Sequence, residues 1–261
     1  MEPFADDAVI RRVSAEGVLI AAGSRAILLQ VAHPKVAAGV AAYSDFQQRP
    51  LHRMRRTVGY MLGIVYGDSR EMQHVADVVN AVHRRIVGPG YSASDPDLQV
   101  WVGATLYEST VMLYERVMGP LPAEQRGELL REYGVLATAL RCPADKWPAD
   151  VNTFRAYWDC MIATLEVSDE ARGIARGVLY PANIPVALRP LAPVNRLVTV
   201  GLLPARIRDG FGLSWSAARQ RALDTGFAVA RHTYPYVPAP VRHAGVRVYL
   251  RDLQRRRRAG R

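Results

Sequence analysis

The residues able to do chemistry gather between positions 53 and 83. The stretch RMRRTVGYMLG, residues 53–63, sets three arginines within four positions and then turns apolar. On a helix beginning near Pro50, Arg53, Arg56, Thr57, Tyr60 and Ile64 share one face, cationic and hydroxylic at its start and apolar farther on. Guanidinium groups pair bidentately with carboxylates, and a threonine hydroxyl can add a further bond. Such a face can clamp an acid group at the mouth of an apolar pocket. It can equally be a packing face with solvated arginines. Gly59, Gly63 and Gly67, spaced by four, leave a strip without side chains that admits a neighbouring backbone or a flat ligand.

The next helical segment offers an imidazole. His83 falls on the stripe of Met72, Ala76, Val79, Ile86 and Val87, whereas His74 points to the opposite side. A histidine in an apolar stripe is ordinarily a core residue bonded to a carbonyl. It is also what the proximal side of a haem requires, because the iron takes an axial imidazole nitrogen and the macrocycle needs dry walls. Haem carries two propionates at its edge. Arg53, Thr57 and His83 therefore form a chemically coherent set, with His83 as the metal ligand and the other two as clamps.

His33 closes the first long apolar segment, directly before Pro34. There its ring can bond the last free carbonyls of a helix, or face a distal pocket and orient bound oxygen. Glu71–His74 is an E-x-x-H, the helical di-iron signature, but a di-iron bundle needs two such motifs and this chain has one. Glu71 also stands three residues after Asp68, where a capping box would use it. There is no phosphate-binding lysine loop, no dinucleotide fingerprint, no nucleophile elbow and no H-E-x-x-H.

The elements that must position these groups read as helices. Apolar periodicity predicts them over roughly 8–32, 50–66, 69–87, 96–118, 122–139, 149–166, 169–179, 195–202 and 214–232, with a terminal helix from about 240. Asp95–Pro96 supplies an N-cap followed by proline at the first helical position. Nothing alternates at period two for more than a few residues. The expected architecture is all-α: one domain over 1–240, followed by a basic C-terminal helix or tail over 241–261.

Composition is that of an ordinary globular chain, 49% hydrophobic and 22% charged. The formal charge of +10 is concentrated at the end, because Arg242 to Arg261 hold eight arginines and only one carboxylate, Asp252. That tail reads first as a solvated end, then as a dock for an anionic membrane surface. Nucleic acid ranks last, since neither an aromatic platform nor a recognition motif accompanies the arginines. The apolar window 17–40 is interrupted by Arg25, Gln30, His33, Pro34 and Lys35, a load that a bilayer-spanning helix would not tolerate. Its expected role is a buried core helix ending near Pro34. The start carries acidic residues and lacks the pattern of a signal peptide. Cys142 and Cys160 have no metal or redox spacing, which makes a reducing, cytoplasmic setting the expectation.

A set of segments in order resembles one family. They are SRAILLQVAHPKVAAGV (24–40), the R-x-x-R-T of Arg53 to Thr57, VYGD (65–68), AVHRRIVG (81–88), YSASDPDLQVWVGATL (91–106) and LLPARIRDGFGLSW (202–215). Together they resemble the haem-b oxygenases that include bacterial latex-clearing proteins and the fungal MpaB oxygenase. The resemblance implies an all-helical fold around one haem b, with His83 as proximal ligand and Arg53 and Thr57 beside the cofactor. Latex-clearing proteins carry a lysine directly before that threonine, able to occupy the distal iron position at rest. Arg56 stands there in this chain, and arginine has no lone pair to offer iron. A sixth site that is empty or holds water is then expected. Those proteins also use an upstream acid as a base, whereas VAAGVAAY (36–43) has no carboxylate, which argues against polyisoprene-type cleavage.

By the same resemblance the activity would be oxidative attack by dioxygen on an alkene or similarly electron-rich carbon of a small lipophilic, isoprenoid-type substrate, with a reductant. Arg56 and His33 are the catalytic candidates. Gly59 and Gly63 are the close-approach positions, and with Ala37 and Ala38 they would leave room for the substrate. A non-catalytic haem carrier or sensor is the alternative reading, and a cofactor-free helical scaffold is the third.

Overall fold

The computed structural model describes residues 1–43, 50–181 and 186–259, and the side chains of 50–55, 187–188, 253–254 and 256–259 fall outside that description. The fold is all-α. Its first helices are α1 (Val9–Ser14), α2 (Ala22–Ala32) and α3 (Pro34–Tyr43), followed by a hairpin of α4 (Pro50–Tyr66) and α5 (Ser69–His83). A two-residue strand pair, β1 (Val87–Gly88) and β2 (Tyr91–Ser92), leads into α6 (Pro96–Met118), α7 (Ala123–Ala139), α8 (Val151–Thr164) and α9 (Asp169–Leu179). The chain ends with α10 (Ala192–Gly201), α11 (Ala205–Gly210), α12 (Ala217–Thr233), α13 (Ala239–Arg242) and α14 (Ala244–Ala259).

The centre is α2 laid against α6, with α3, α9 and α10 around them. Leu28, Leu29, Val31 and Ala32 of α2 are wholly or almost wholly buried. Burying each leucine contributes about 1.5–3 kcal/mol, so the middle of the apolar 17–40 window, α2, lies in the core, whereas Ile20 and Lys35 toward its ends are exposed. Trp101 of α6 is fully buried, and its indole N–H reaches the carbonyls of Leu29 and Gln30 at 3.2 and 3.3 Å. No single helix is long and apolar enough to cross a membrane among the described residues; the 17–32 and 34–43 segments bend by 109° where they meet.

Capping signals set the sharpest boundaries. Asp68 accepts from the backbone N–H groups of Arg70 and Glu71 at 3.0 and 2.9 Å and starts α5. Asp95 does the same for α6 through Asp97 N–H at 3.0 Å, with Pro96 in the first turn, and Gly119 at φ 102° ends that helix.

Two expectations are corrected. The continuous helix over 8–32 is broken at Glu16, whose buried carboxylate pairs with Arg242 and, at 3.2 Å, with His243. The backbone there takes an extended turn and a 3₁₀ stretch over Gly17–Ala21. A side chain at Gly17 would meet the Arg242 carbonyl at 2.7 Å, so only glycine lets the two backbones approach this closely. The helix expected to run to 87 stops at His83, because residues 87–92 pair as a hairpin that turns through Gly90 at φ 77°. The terminal helix expected from about 240 is present as α14, anchored by buried Val246 and by Tyr249 against α4; of the arginines in the 251–261 end, Arg251 and Arg255 are exposed and the others lie outside the described side chains. The segments 34–43 and 205–210 are helices that periodicity did not predict.

Candidate functional site

The α4–α5 hairpin carries the sequence-predicted site. Only residues 67 and 68 separate the two helices, which forces them to pack antiparallel. Two contacts fix the register. A Cβ at Gly63 would meet the Val75 methyls at 2.8 and 3.0 Å, and one at Gly67 would meet Glu71 at 2.9 Å. Carried on at that register, position 83 lies opposite position 55, between Arg53 and Thr57. On that register the last turn of α5 comes level with the first turns of α4, where Thr57 stands 26 residues before His83 in sequence.

Along α4 the predicted gradient is present. Arg56 and Thr57 are exposed, Tyr60 is 9% exposed, and Ile64 is fully buried. Tyr60 donates to the Leu136 carbonyl of α7 at 2.6 Å, which anchors the apolar half of α4, and burial holds its hydroxyl well above the ordinary phenol range. The Arg53 side chain lies outside the described residues.

On α5, Met72, Ala76 and Asn80 are buried and His74 is exposed, so the first part of the apolar stripe faces the core, whereas Val87, beyond the helix, is 53% exposed. Asn80 donates to the Ala139 carbonyl at 3.0 Å. His83, in the last turn, is half-buried at the end of that stripe.

The glycine strip divides. At Gly63 the close approach is made by Val75 of α5 and by the Tyr249 hydroxyl of α14, 3.1 Å from a would-be Cβ. Gly67 lies against Glu71 of its own hairpin. At Gly59 a Cβ would meet nothing within 4 Å, and its carbonyl accepts from the Tyr249 hydroxyl at 3.5 Å. Of the three, Gly59 is the one that leaves open space beside the helix.

His33 does not cap the carbonyls of α2. Its Nδ1 accepts from the Lys35 N–H at 3.2 Å and so caps the start of α3. An accepting Nδ1 must be unprotonated, and burial, then the nearby Lys35 charge, lowers the His33 pKa from the usual histidine value. Nε2 remains as the nitrogen able to meet a ligand. Ala37 of α3 is fully buried, and Gly39 packs on the Tyr91 ring of β2.

Sequence reasoning missed one buried group of consequence. Arg25 of α2, 1% exposed, forms an ion pair with Glu108 of α6, donates to Ser109 Oγ at 2.7 Å, and donates to the Leu202 carbonyl at 2.7 Å. The signal was a lone arginine inside the most apolar window.

Comparison with known proteins accords with this architecture. The family model for the ER-bound oxygenase mpaB/B'/rubber oxygenase catalytic domain matches residues 10–232. Two curated relatives, the uncharacterized protein Mb2261 of Mycobacterium bovis and the uncharacterized protein Rv2237 of Mycobacterium tuberculosis, are each 30% identical over 245 residues, covering 90% of this chain and 96% of theirs. No solved structure matches. The matched span takes in every helix from α2 to α11 and nearly all of α12, including the α4–α5 hairpin, and the chain belongs to the mpaB/rubber oxygenase catalytic-domain family.

Proposed function

We propose that the protein is a haem-b-dependent oxygenase that uses dioxygen on a small lipophilic, isoprenoid-type substrate. The observation that supports this reading is the hairpin register at Gly63 and Val75, from which helical spacing puts the last turn of α5 level with the first turns of α4. Two further features fit a flat macrocycle there: the half-buried imidazole at the end of an apolar stripe, and the open space beside Gly59. When bound, the haem supplies the oxygen chemistry.

The chain's own residues have separable tasks. His83 would hold the haem iron through an imidazole nitrogen, and Thr57 with Arg53 would hold the propionates. The Arg56 guanidinium has no lone pair to offer iron, so it contributes charge at the mouth and no ligand. Tyr60, Ile64, Met72 and Ala76 are buried and keep the interior side of the hairpin dry. His33, neutral and fixed through Nδ1, can present Nε2 as a single polar contact at the start of α3. The small residues Ala37 and Ala38 leave room for an apolar substrate. The arginines of α14 would favour an anionic membrane surface, where a lipophilic substrate collects, and the two free cysteines support a reducing, cytoplasmic setting.

The test is oxygen uptake by hemin-loaded protein with a reductant and a panel of prenylated compounds. The proposal expects substrate-dependent uptake that His83→Ala abolishes. Haem binding with no uptake on any compound would favour the carrier or sensor reading instead.

A further inference from the structure

We propose that a cleft between α6, α8 and α12 is a second binding site, for a long-chain lipophilic carboxylic acid. It is independent of the haem reading. Its floor comes from the second half of α6, beginning at Tyr107, which at 1.5 Å per residue is about 16 Å along the axis from the helix start. The α4–α5 hairpin and His83 precede that start in the chain.

The cleft holds about 1010 Å³. Ligand pockets run to roughly 1,000 Å³, so this one has room for a long chain. The floor is aromatic and rigid. Tyr107 and Phe154 meet edge to face at 4.7 Å, Phe154 stacks with Trp158 at 6.1 Å, and Trp158 stacks on core Trp101 at 5.5 Å. The Tyr107 hydroxyl donates to the Arg126 carbonyl at 3.2 Å and is pushed up to about 12 by burial, so the floor carries no phenolate.

The charges around the rim favour an anion. Glu108 is neutralised from behind by Arg25, and Glu115 by Arg126. Arg116 lies 3.7 Å from Asp224 and over the Phe227 ring. Arg155 on α8 and Arg231 on α12 line the same cleft from different helices, are exposed, and have no carboxylate within ion-pair distance among the described residues. Asp159 is the one remaining acid at the rim. His232 adds a polar contact: its Nδ1 donates to the Ala228 carbonyl at 2.7 Å, which turns Nε2 outward from that bond. Two guanidiniums over an aromatic floor match a carboxylate on an apolar body, because each half of the ligand meets its own chemistry.

The experiment titrates full-length protein with cis-parinaric acid, whose conjugated chain accepts energy from Trp158 and reports binding by its emission. Saturable binding of one acid per chain is expected. The methyl ester of the same acid and the double variant Arg155→Glu/Arg231→Glu should each bind at least about tenfold more weakly, as loss of a charge-assisted pair implies. Both arginines are exposed, and an unchanged circular-dichroism melt checks that the variant folds. His83→Ala should bind the acid as wild type does. Absence of saturable binding, equal affinity for acid and ester, or an unaffected double variant overturns the proposal. So does stoichiometric displacement by hemin together with loss of hemin binding in the double variant, which would make the cleft the haem site.

Discussion

Arg25 of α2 and Glu108 of α6 form an ion pair in which the guanidinium is 1% exposed and the carboxylate side chain 18%. The pair ties together the two helices at the centre of the fold. Breaking a buried pair by removing one partner leaves an uncompensated charge, which costs about 3–5 kcal/mol. Arg25→Met should therefore lower the unfolding free energy by about that amount, read from denaturant titration. The double variant Arg25→Met/Glu108→Gln should recover part of the loss, because no lone charge remains. Equal stability of the two variants would show that the pair is not coupled.

Glycine substitutions separate packing from open space on α4. Gly63→Val must displace Val75 or Tyr249, and such overpacking costs about 1–3 kcal/mol. Gly59→Ala meets nothing, so the helix gains up to about 1 kcal/mol from the better helix former. Thermal melts of the two variants should move in opposite directions.

The pH dependence has a definite sign. His33 titrates below its ordinary value in the folded chain, because burial and then Lys35 disfavour its charged form. On acidification the unfolded chain takes up this proton first. The stabilisation is thus complete above the ordinary histidine pKa near 6.5 and is lost as pH falls through the lower folded value. Wild type should lose more stability between about pH 7.5 and 5.5 than His33→Asn, whose side-chain oxygen keeps a cap without the titration. An identical pH profile for the two would remove His33 from the account.

Docking of α14 is open to proteolysis. Val246 is 9% exposed, and Val246→Asp would bury an unpaired carboxylate. Trypsin should then cut after Arg247 and Arg251 about tenfold faster than in wild type, as the undocked population rises. Equal rates would mean that α14 is already detached.

The elements legible in the sequence are those whose signals are local. The helices 50–66, 96–118 and 169–179 were bounded correctly because apolar periodicity is strong there, and at the last two Asp95 and Ser168 cap the start. The break at Glu16 was not legible, since its cause is Arg242, 226 residues away. The hold of α14 on Gly63 was hidden for the same reason, with Tyr249 arriving from the far end of the chain. In the candidate site, the face from Arg56 to Ile64 and the stripe ending at His83 could be read from helical spacing. Their juxtaposition could not, because it depends on the two-residue connection and on the register set by Gly63 against Val75. Carbonyl capping by His33 does not hold, since whether its ring meets carbonyls behind it or N–H groups ahead depends on the turn at Pro34.

The central claim is that His83 binds iron at this hairpin, and the visible spectrum during hemin titration of purified protein tests it most directly. The account predicts a Soret band that saturates at one haem per chain and that His83→Ala eliminates, with the variant still folded by circular dichroism. A protein that takes up no hemin, or a His83→Ala variant with the same Soret band as wild type, would contradict it.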